Sequence, residues 1–145
     1  NNDVPGVMLA SGAQRLIYRY GVKPMETAVV LAANREGYEA SLDLLRHGVR
    51  VAALVDLRSG GEPSAAGQRV AAAAVRVLTG HCIDEALASG GSVSGALVCP
   101  ITQSGEPNRD AGVIAIGDLR ITGREAHREN NFAPAKRKNR TKTRF

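Results

Sequence analysis

Residues 28–58 constrain this chain more than any other stretch: an apolar run, a segment with helical spacing, and a second apolar run. Ala28-Val29-Val30-Leu31-Ala32-Ala33 is apolar on both sides, as a strand buried inside a parallel sheet must be. From Arg35 to His47, Tyr38, Leu42 and Leu45 recur at helical spacing, and Ala40, Ser41 and Leu44 fill out the same face. Gly48 suits the left-handed residue that ends such a helix. Val49 to Asp56 is apolar again. Strand, helix, strand is a βαβ unit, because parallel neighbours need a crossover between them. The chemistry of these units lies in the loop after the first strand.

That loop departs from the dinucleotide fingerprint. In G-x-G-x-x-G the first glycine permits a tight turn and the second brings bare backbone to a pyrophosphate at a helix N-terminus. The third lets helix and strand pack closely. Those places hold Ala32, Asn34 and Gly37, so only the packing glycine is kept. Asn34 sets a side chain where a phosphate would meet backbone. Asp56, at the tip of the second strand, stands 22 residues after Asn34, where an acidic residue would bind a ribose hydroxyl. The candidate cofactor-binding residues are therefore Ala33, Asn34, Arg35, Gly37, Asp56 and Arg58, with NAD the candidate cofactor. The alternative is structural: Asn34 caps the helix and Asp56 ends a strand at the surface. No catalytic or metal-binding residue stands out. His47, His81 and His127 lie far apart, and there is no Walker motif, no H-E-x-x-H and no strand–serine–helix elbow around Ser92 or Ser94.

The remaining segments extend the same architecture. Met8, Leu9, Leu16 and Ile17 form a helical stripe up to Tyr20, with Pro5 near its start and Gly21 past its end. Lys23 to Thr27 reads as a loop, and Leu57 to Pro63 as another. Ser64 predicts a cap for an alanine-rich helix over Ala65–Ala74, and Val75–Thr79 a third parallel strand. His81–Leu87 is compatible with a strand or a helical turn. Val93–Ile101 and Ala111–Asp118 are apolar runs separated by glycine turns, the pattern of an antiparallel meander. The expected fold class is α/β: a three-layer Rossmann-like domain with a parallel central sheet, helices on one face and a small antiparallel β-meander on part of the other. Residues 1–24 are expected to be a lead-in helix and linker from a preceding domain, 25–119 the dinucleotide-binding-like domain, and 120–145 a basic, disordered tail.

Charge separates the tail from the body. The chain carries 19 basic and 14 acidic residues. Nine of the basic and two of the acidic residues follow Leu119, which leaves the body near −2 and the tail near +7. Apart from Phe132 and Phe145 the tail has no aromatic residues to stack on bases, so nucleic acid is not the expected partner. Nor is a membrane, since no stretch reaches about 18 consecutive apolar residues. Cys82 and Cys99 stand outside any C-x-x-C pair and read as buried reduced thiols, which suits the cytoplasm; a disulfide or a metal site is the alternative. The start, Asn1-Asn2-Asp3-Val4-Pro5, has neither a Met nor a signal-peptide pattern, and reads as a piece of something longer.

An ordered series of segments carries a resemblance: Asn2 to Ala10, Tyr18 to Val22, Ala28 to Val30, Gly48 to Asp56 and Val75 to His81. Over about residues 1–118 the chain resembles the alpha subunit of heterotetrameric sarcosine oxidases, and related amine and opine dehydrogenase subunits share parts of the series. The resemblance implies an alpha subunit built like a two-dinucleotide-domain flavoprotein disulfide reductase and extended by a folate-binding module. It implies an assembled enzyme that oxidatively demethylates sarcosine to glycine, yields peroxide and passes the one-carbon unit to tetrahydrofolate. FAD, FMN and NAD are its cofactors, and the other subunits of the oxidase its partners. This chain would match the second, inserted dinucleotide-fold domain. Amine oxidation belongs to the beta subunit in that family, so no catalytic residue carries over. The family's glycine-rich return strand is missing after Leu119, as in a truncated or frame-shifted reading frame. The expected function is that of a fragment of such a subunit, inactive alone. An NAD-binding module of another amine, opine or proline dehydrogenase is the first alternative, and a nucleic-acid-binding protein acting through its tail the second.

Overall fold

The computed structural model describes residues 3–117 and 120–121, so the expectations for the rest of the basic tail lie outside the described residues. The first helix, α1, is Ala10–Tyr20, and Gly21 closes it in the left-handed conformation (φ 62°). Strand β1 (Met25–Ala32), helix α2 (Arg35–Arg46) and strand β2 (Arg50–Asp56) follow, and β1 and β2 pair in parallel, which is the expected βαβ unit. Helix α3 is Ala65–Ala72 and strand β3 is Val77–Thr79, parallel to β2. The chain then turns antiparallel through β4 (His81–Ser89), β5 (Ser92–Pro100) and β6 (Ile114–Gly117). A last pair of residues, β7 (Arg120–Ile121), returns to β1. The main sheet therefore runs β3-β2-β1-β7 and the meander β4-β5-β6.

Three layers result, and each interface has its own apolar cluster. Against one face of the main sheet, Ala13 and Ile17 of α1 and Leu44 of α2 meet Ala28, Val30 and Val51. Further along that face, Tyr38, Leu42, Ala66 and Val70 meet Ala32 and Leu54. On the opposite face Ala53 and Val55 pack against Val98 of β5 and Ile116 of β6. Both faces of β2 are thus covered, which is why it reads as an unbroken apolar run rather than an alternating one. α1 belongs to this core: Gln14 donates a hydrogen bond to Asp43 of α2 at 2.8 Å.

One irregularity in β2 decides which face later residues see. Ala28 lies opposite Val51, but Val29 lies opposite Ala53, so Ala52 is an extra residue in the ladder. Such a bulge reverses the inward–outward alternation beyond it. Val51 faces the helices, Ala52 and Ala53 both join the meander cluster, and Leu54 faces the helices again. Asp56, two residues on, shares that helix-facing side.

Several boundaries differ from those predicted, each for a local reason. β1 begins at Met25, not Ala28, because Met25 and Thr27 form ladder pairs with β7. Arg120–Ile121, counted with the basic tail, is thereby part of the sheet. α3 ends at Ala72, and Ala74 adopts φ 55°, a left-handed turn without the usual glycine, so β3 starts only at Val77. Pro5 does not begin the first helix; Met8 and Leu9 precede it and are 43% and 78% exposed. His81–Leu87 is strand, closed onto β5 by a Gly90-Gly91 turn in which both residues have positive φ, as a two-residue hairpin requires.

Gly37 fits its predicted packing role. A Cβ there would stand 2.4 Å from Ala32 Cβ and 2.9 Å from Ala32 Cα, so α2 rests on β1 at a separation only glycine allows. Gly37→Ala is expected to lower unfolding free energy by about 1–3 kcal/mol in urea titrations, the cost of overpacking a tight core. An unchanged midpoint would contradict this contact.

Candidate functional site

The candidate residues converge where β1 and β2 end. Ala33 and Asn34 form the turn from β1 into α2, Arg35 opens the helix, and Asp56 and Arg58 lie at and beyond the tip of β2. The Leu57 N–H donates to the Ala32 carbonyl at 2.9 Å, which locks the two strand ends together. This is the edge at which open parallel sheets place their ligands.

Asn34 is the N-cap of α2. Its backbone is extended (φ −155°), and its Oδ1 accepts a hydrogen bond from the Glu36 N–H at 2.9 Å. The side chain thus occupies one of the amides that an anion at the helix N-terminus would use. Gly37, one turn in, is held against Ala32 and faces the sheet rather than the solvent.

Asp56 is fully buried, not at the surface, because the bulge at Ala52 turns it toward α2. Its carboxylate is engaged on both oxygens. Oδ2 accepts from the Tyr38 hydroxyl at 2.8 Å and from Arg58 Nη2 at 2.9 Å. Oδ1 accepts from the Arg58 N–H at 2.9 Å and from Arg58 Nε at 3.1 Å. Arg58 reaches on to Glu62 at 3.1 Å, and Glu62 accepts from the Ser64 N–H at the head of α3. The guanidinium also lies over the Tyr38 ring, 6.0 Å from its centre. A buried charge is tolerated only when paired and hydrogen-bonded, and here one carboxylate ties β2, α2 and the loop into α3 together.

The electrostatics follow from those contacts. Burial alone would raise the Asp56 carboxyl, but the hydrogen bonds from Arg58 and Tyr38 outweigh it and hold the group below the ordinary aspartate value. The Ser64 and Arg58 hydrogen bonds hold Glu62 low as well. Burial, with the hydrogen bond to Asp56, pushes the Tyr38 hydroxyl up to about 12. As arranged, these groups satisfy one another, and a ribose hydroxyl would have to displace Tyr38 or Arg58 to reach the carboxylate. Tyr38 and Glu62 are the members the sequence reading missed. In the sequence Tyr38 shows only as part of the packing face of α2; the available signal is that a buried phenol needs a partner and Asp56 is the carboxylate at the same end of the sheet.

A separate cavity of about 420 Å³ runs along the outer edge of β1, lined by residues such as Val7, Met8, Val29, Leu31, Ile83 and Val93. None of its lining side chains is titratable, so it offers no acid–base chemistry. No group of His, Cys, Asp or Glu among the described residues could hold a metal ion, and no described helix is long and apolar enough to cross a membrane.

The layer order defines the class: a Rossmann-like domain with an antiparallel meander on its second face. Among solved structures, thioredoxin reductase from Giardia duodenalis shares that fold, with a TM-score of 0.50 and 13% identity over 73% of this chain and 32% of its own. No family model matches the chain. Its sequence is 35% identical over 121 residues, 80% of its length, to the sarcosine oxidase alpha subunit of Corynebacterium sp. strain P-1. It is 34% identical over 122 residues to that of Corynebacterium sp. strain U-96, and 42% identical over 57 residues to that of Rhizobium meliloti strain 1021. The chain belongs to the family of sarcosine oxidase alpha subunits. It spans 12% of the length of either Corynebacterium relative.

The raised Tyr38 and lowered Asp56 set opposite pH limits. The Tyr38 proton is held more tightly in the folded protein, so its contribution is complete below pH 10.0 and is lost as pH rises toward about 12. Asp56 contributes above its ordinary value of 3.8 and loses that contribution as pH falls below it. Tyr38→Phe leaves a buried charge short of one donor and is expected to cost about 1.5–3 kcal/mol at neutral pH. It should also remove the tyrosinate absorbance step near the top of the alkaline titration; a wild-type Tyr38 that ionises near 10 would refute the buried hydrogen bond.

Proposed function

We propose that this chain is a supporting domain of a sarcosine oxidase-like alpha subunit, inactive alone. The relatives' name, sarcosine oxidase subunit alpha, supports this reading; the activity proposed for the assembled parent is oxidative demethylation of sarcosine to glycine, with the one-carbon unit passed to tetrahydrofolate. In that reading the parent complex carries FAD and FMN together with NAD, acts in the cytoplasm, and includes further subunits. This chain contributes a rigid α/β scaffold beside a dinucleotide site, not the site of amine oxidation.

The observation that carries this reading is the self-satisfied carboxylate of Asp56. In an NAD-binding edge that group faces a ribose; here Tyr38 and Arg58 donate hydrogen bonds to both of its oxygens. Asn34 adds a second obstacle by spending its side chain on the α2 cap. The reading that the loop is itself an NAD-binding module keeps one support, the Gly37 contact with Ala32, which is the fingerprint's packing glycine. Were NAD held here, the amides of Ala33 and Arg35 at the head of α2 would take the pyrophosphate, and Asp56 or Arg58 the adenosine ribose. The nucleic-acid reading rests on the basic tail, which lies outside the described residues.

Titrating the chain with NAD while following amide shifts of residues 33–37 and 56–58 separates the two readings. A scaffold shows no saturable shift below millimolar NAD. Saturation in the micromolar range, lost in Asp56→Asn, would make the loop a working cofactor site.

A further inference from the structure

The two cysteines, 17 positions apart, lie directly opposite each other in the β4–β5 ladder, with Sγ atoms 3.7 Å apart. Neighbouring pairs His81 with Pro100 and Ile83 with Val98 keep the register on both sides. Opposed residues of an antiparallel pair have Cα atoms about 4.5–5.5 Å apart, inside the span a disulfide bridges. Closing the remaining gap to about 2 Å needs side-chain rotation rather than backbone movement. The surroundings are firmly held: Arg109 grips Asp84 of β4 through two hydrogen bonds, and the Asn108 N–H donates to the Pro100 carbonyl. Both thiols are free, Cys99 buried completely and Cys82 only in part.

We propose that Cys82 and Cys99 form a cross-strand dithiol that closes to a disulfide in the folded protein, a redox modification site on the meander. The oxidant is a small soluble disulfide. The partly exposed Cys82 reacts first: its thiolate attacks one sulfur of the oxidant, forming a mixed disulfide, and one thiolate leaves and takes up the proton that Cys82 lost. Cys99 Sγ then attacks Cys82 Sγ. The Cys82–Cys99 bond forms, the bond to the second small thiol breaks, and that thiol leaves with the proton from Cys99. Two protein thiols are oxidised and one small disulfide is reduced to two thiols. Burial, with the hydrogen bond to Cys99, pushes the Cys82 thiol up to about 11, so the exchange is slow at neutral pH and the pair is a stable staple rather than a fast catalyst.

Incubating the folded 145-residue chain with oxidised glutathione and reading its intact mass tests this directly. The expected end product is lighter by two hydrogens, with neither thiol left to react after denaturation. Its melting temperature rises by about 5–10 °C, the scale for closing a loop of this size, and dithiothreitol reverses both changes. Cys99→Ser should stop at one glutathionyl adduct on Cys82, and Cys82→Ser should take up none. If either variant fails to fold, the wild-type mass still decides. A wild-type end product that keeps a glutathionyl group, or that keeps both thiols, overturns the proposal.

Discussion

A single buried carboxylate organises the edge of this domain where β1 and β2 end. Asp56 sits at the point where the second strand leaves the sheet, with no contact to water, and a charge there survives only if its surroundings supply donors. Tyr38 supplies one from the crossover helix, and Arg58 supplies three from its backbone and guanidinium. Arg58 then passes the connection to Glu62 and the start of the third helix. Together with the Arg69–Glu39 ion pair between α3 and α2, these contacts fix the elements in relative position. The same saturation uses both carboxylate oxygens twice, so any further hydroxyl reaching Asp56 would have to replace one of these donors.

The helix N-terminus beside it is constrained in the same sense. Gly37 lets α2 approach β1 as closely as a dinucleotide-binding unit requires, yet Asn34 fills the turn with its own cap. The close helix–strand approach of such folds is present, while the Glu36 N–H at the helix start is taken by the Asn34 side chain.

Much of the architecture was legible in the residues. The βαβ unit followed from two apolar runs around a segment of helical period, and the hairpin at Gly90-Gly91 from its glycines. The role of Asn34 as a cap was legible too, since it immediately precedes a helical pattern. What the residues concealed were consequences of register. The bulge at Ala52 leaves no mark in a run of Val, Ala and Leu, so nothing showed that Asp56 would point inward to Tyr38. Cys82 and Cys99 look isolated in the sequence, yet they stand at equal distances from the Gly90-Gly91 turn, and the two slips of the β4–β5 ladder, between Ile83 and Glu85 and between Leu87 and Ala88, cancel, so they meet only once His81–Leu87 is known to be strand. The strand at Arg120–Ile121 was hidden by its basic composition, which resembles the tail that follows.

The extra residue in β2 also makes that strand a counter with a built-in odd step. Segments on either side of Ala52 obey opposite parity, so the strand cannot be exchanged piecemeal for a regular one. The same residues paired in unbroken register, without the bulge, would swing Leu54 into the meander layer and drive the Asp56 carboxylate into apolar packing. The tyrosine on the crossover helix that now donates to it would be left on the far side of the sheet.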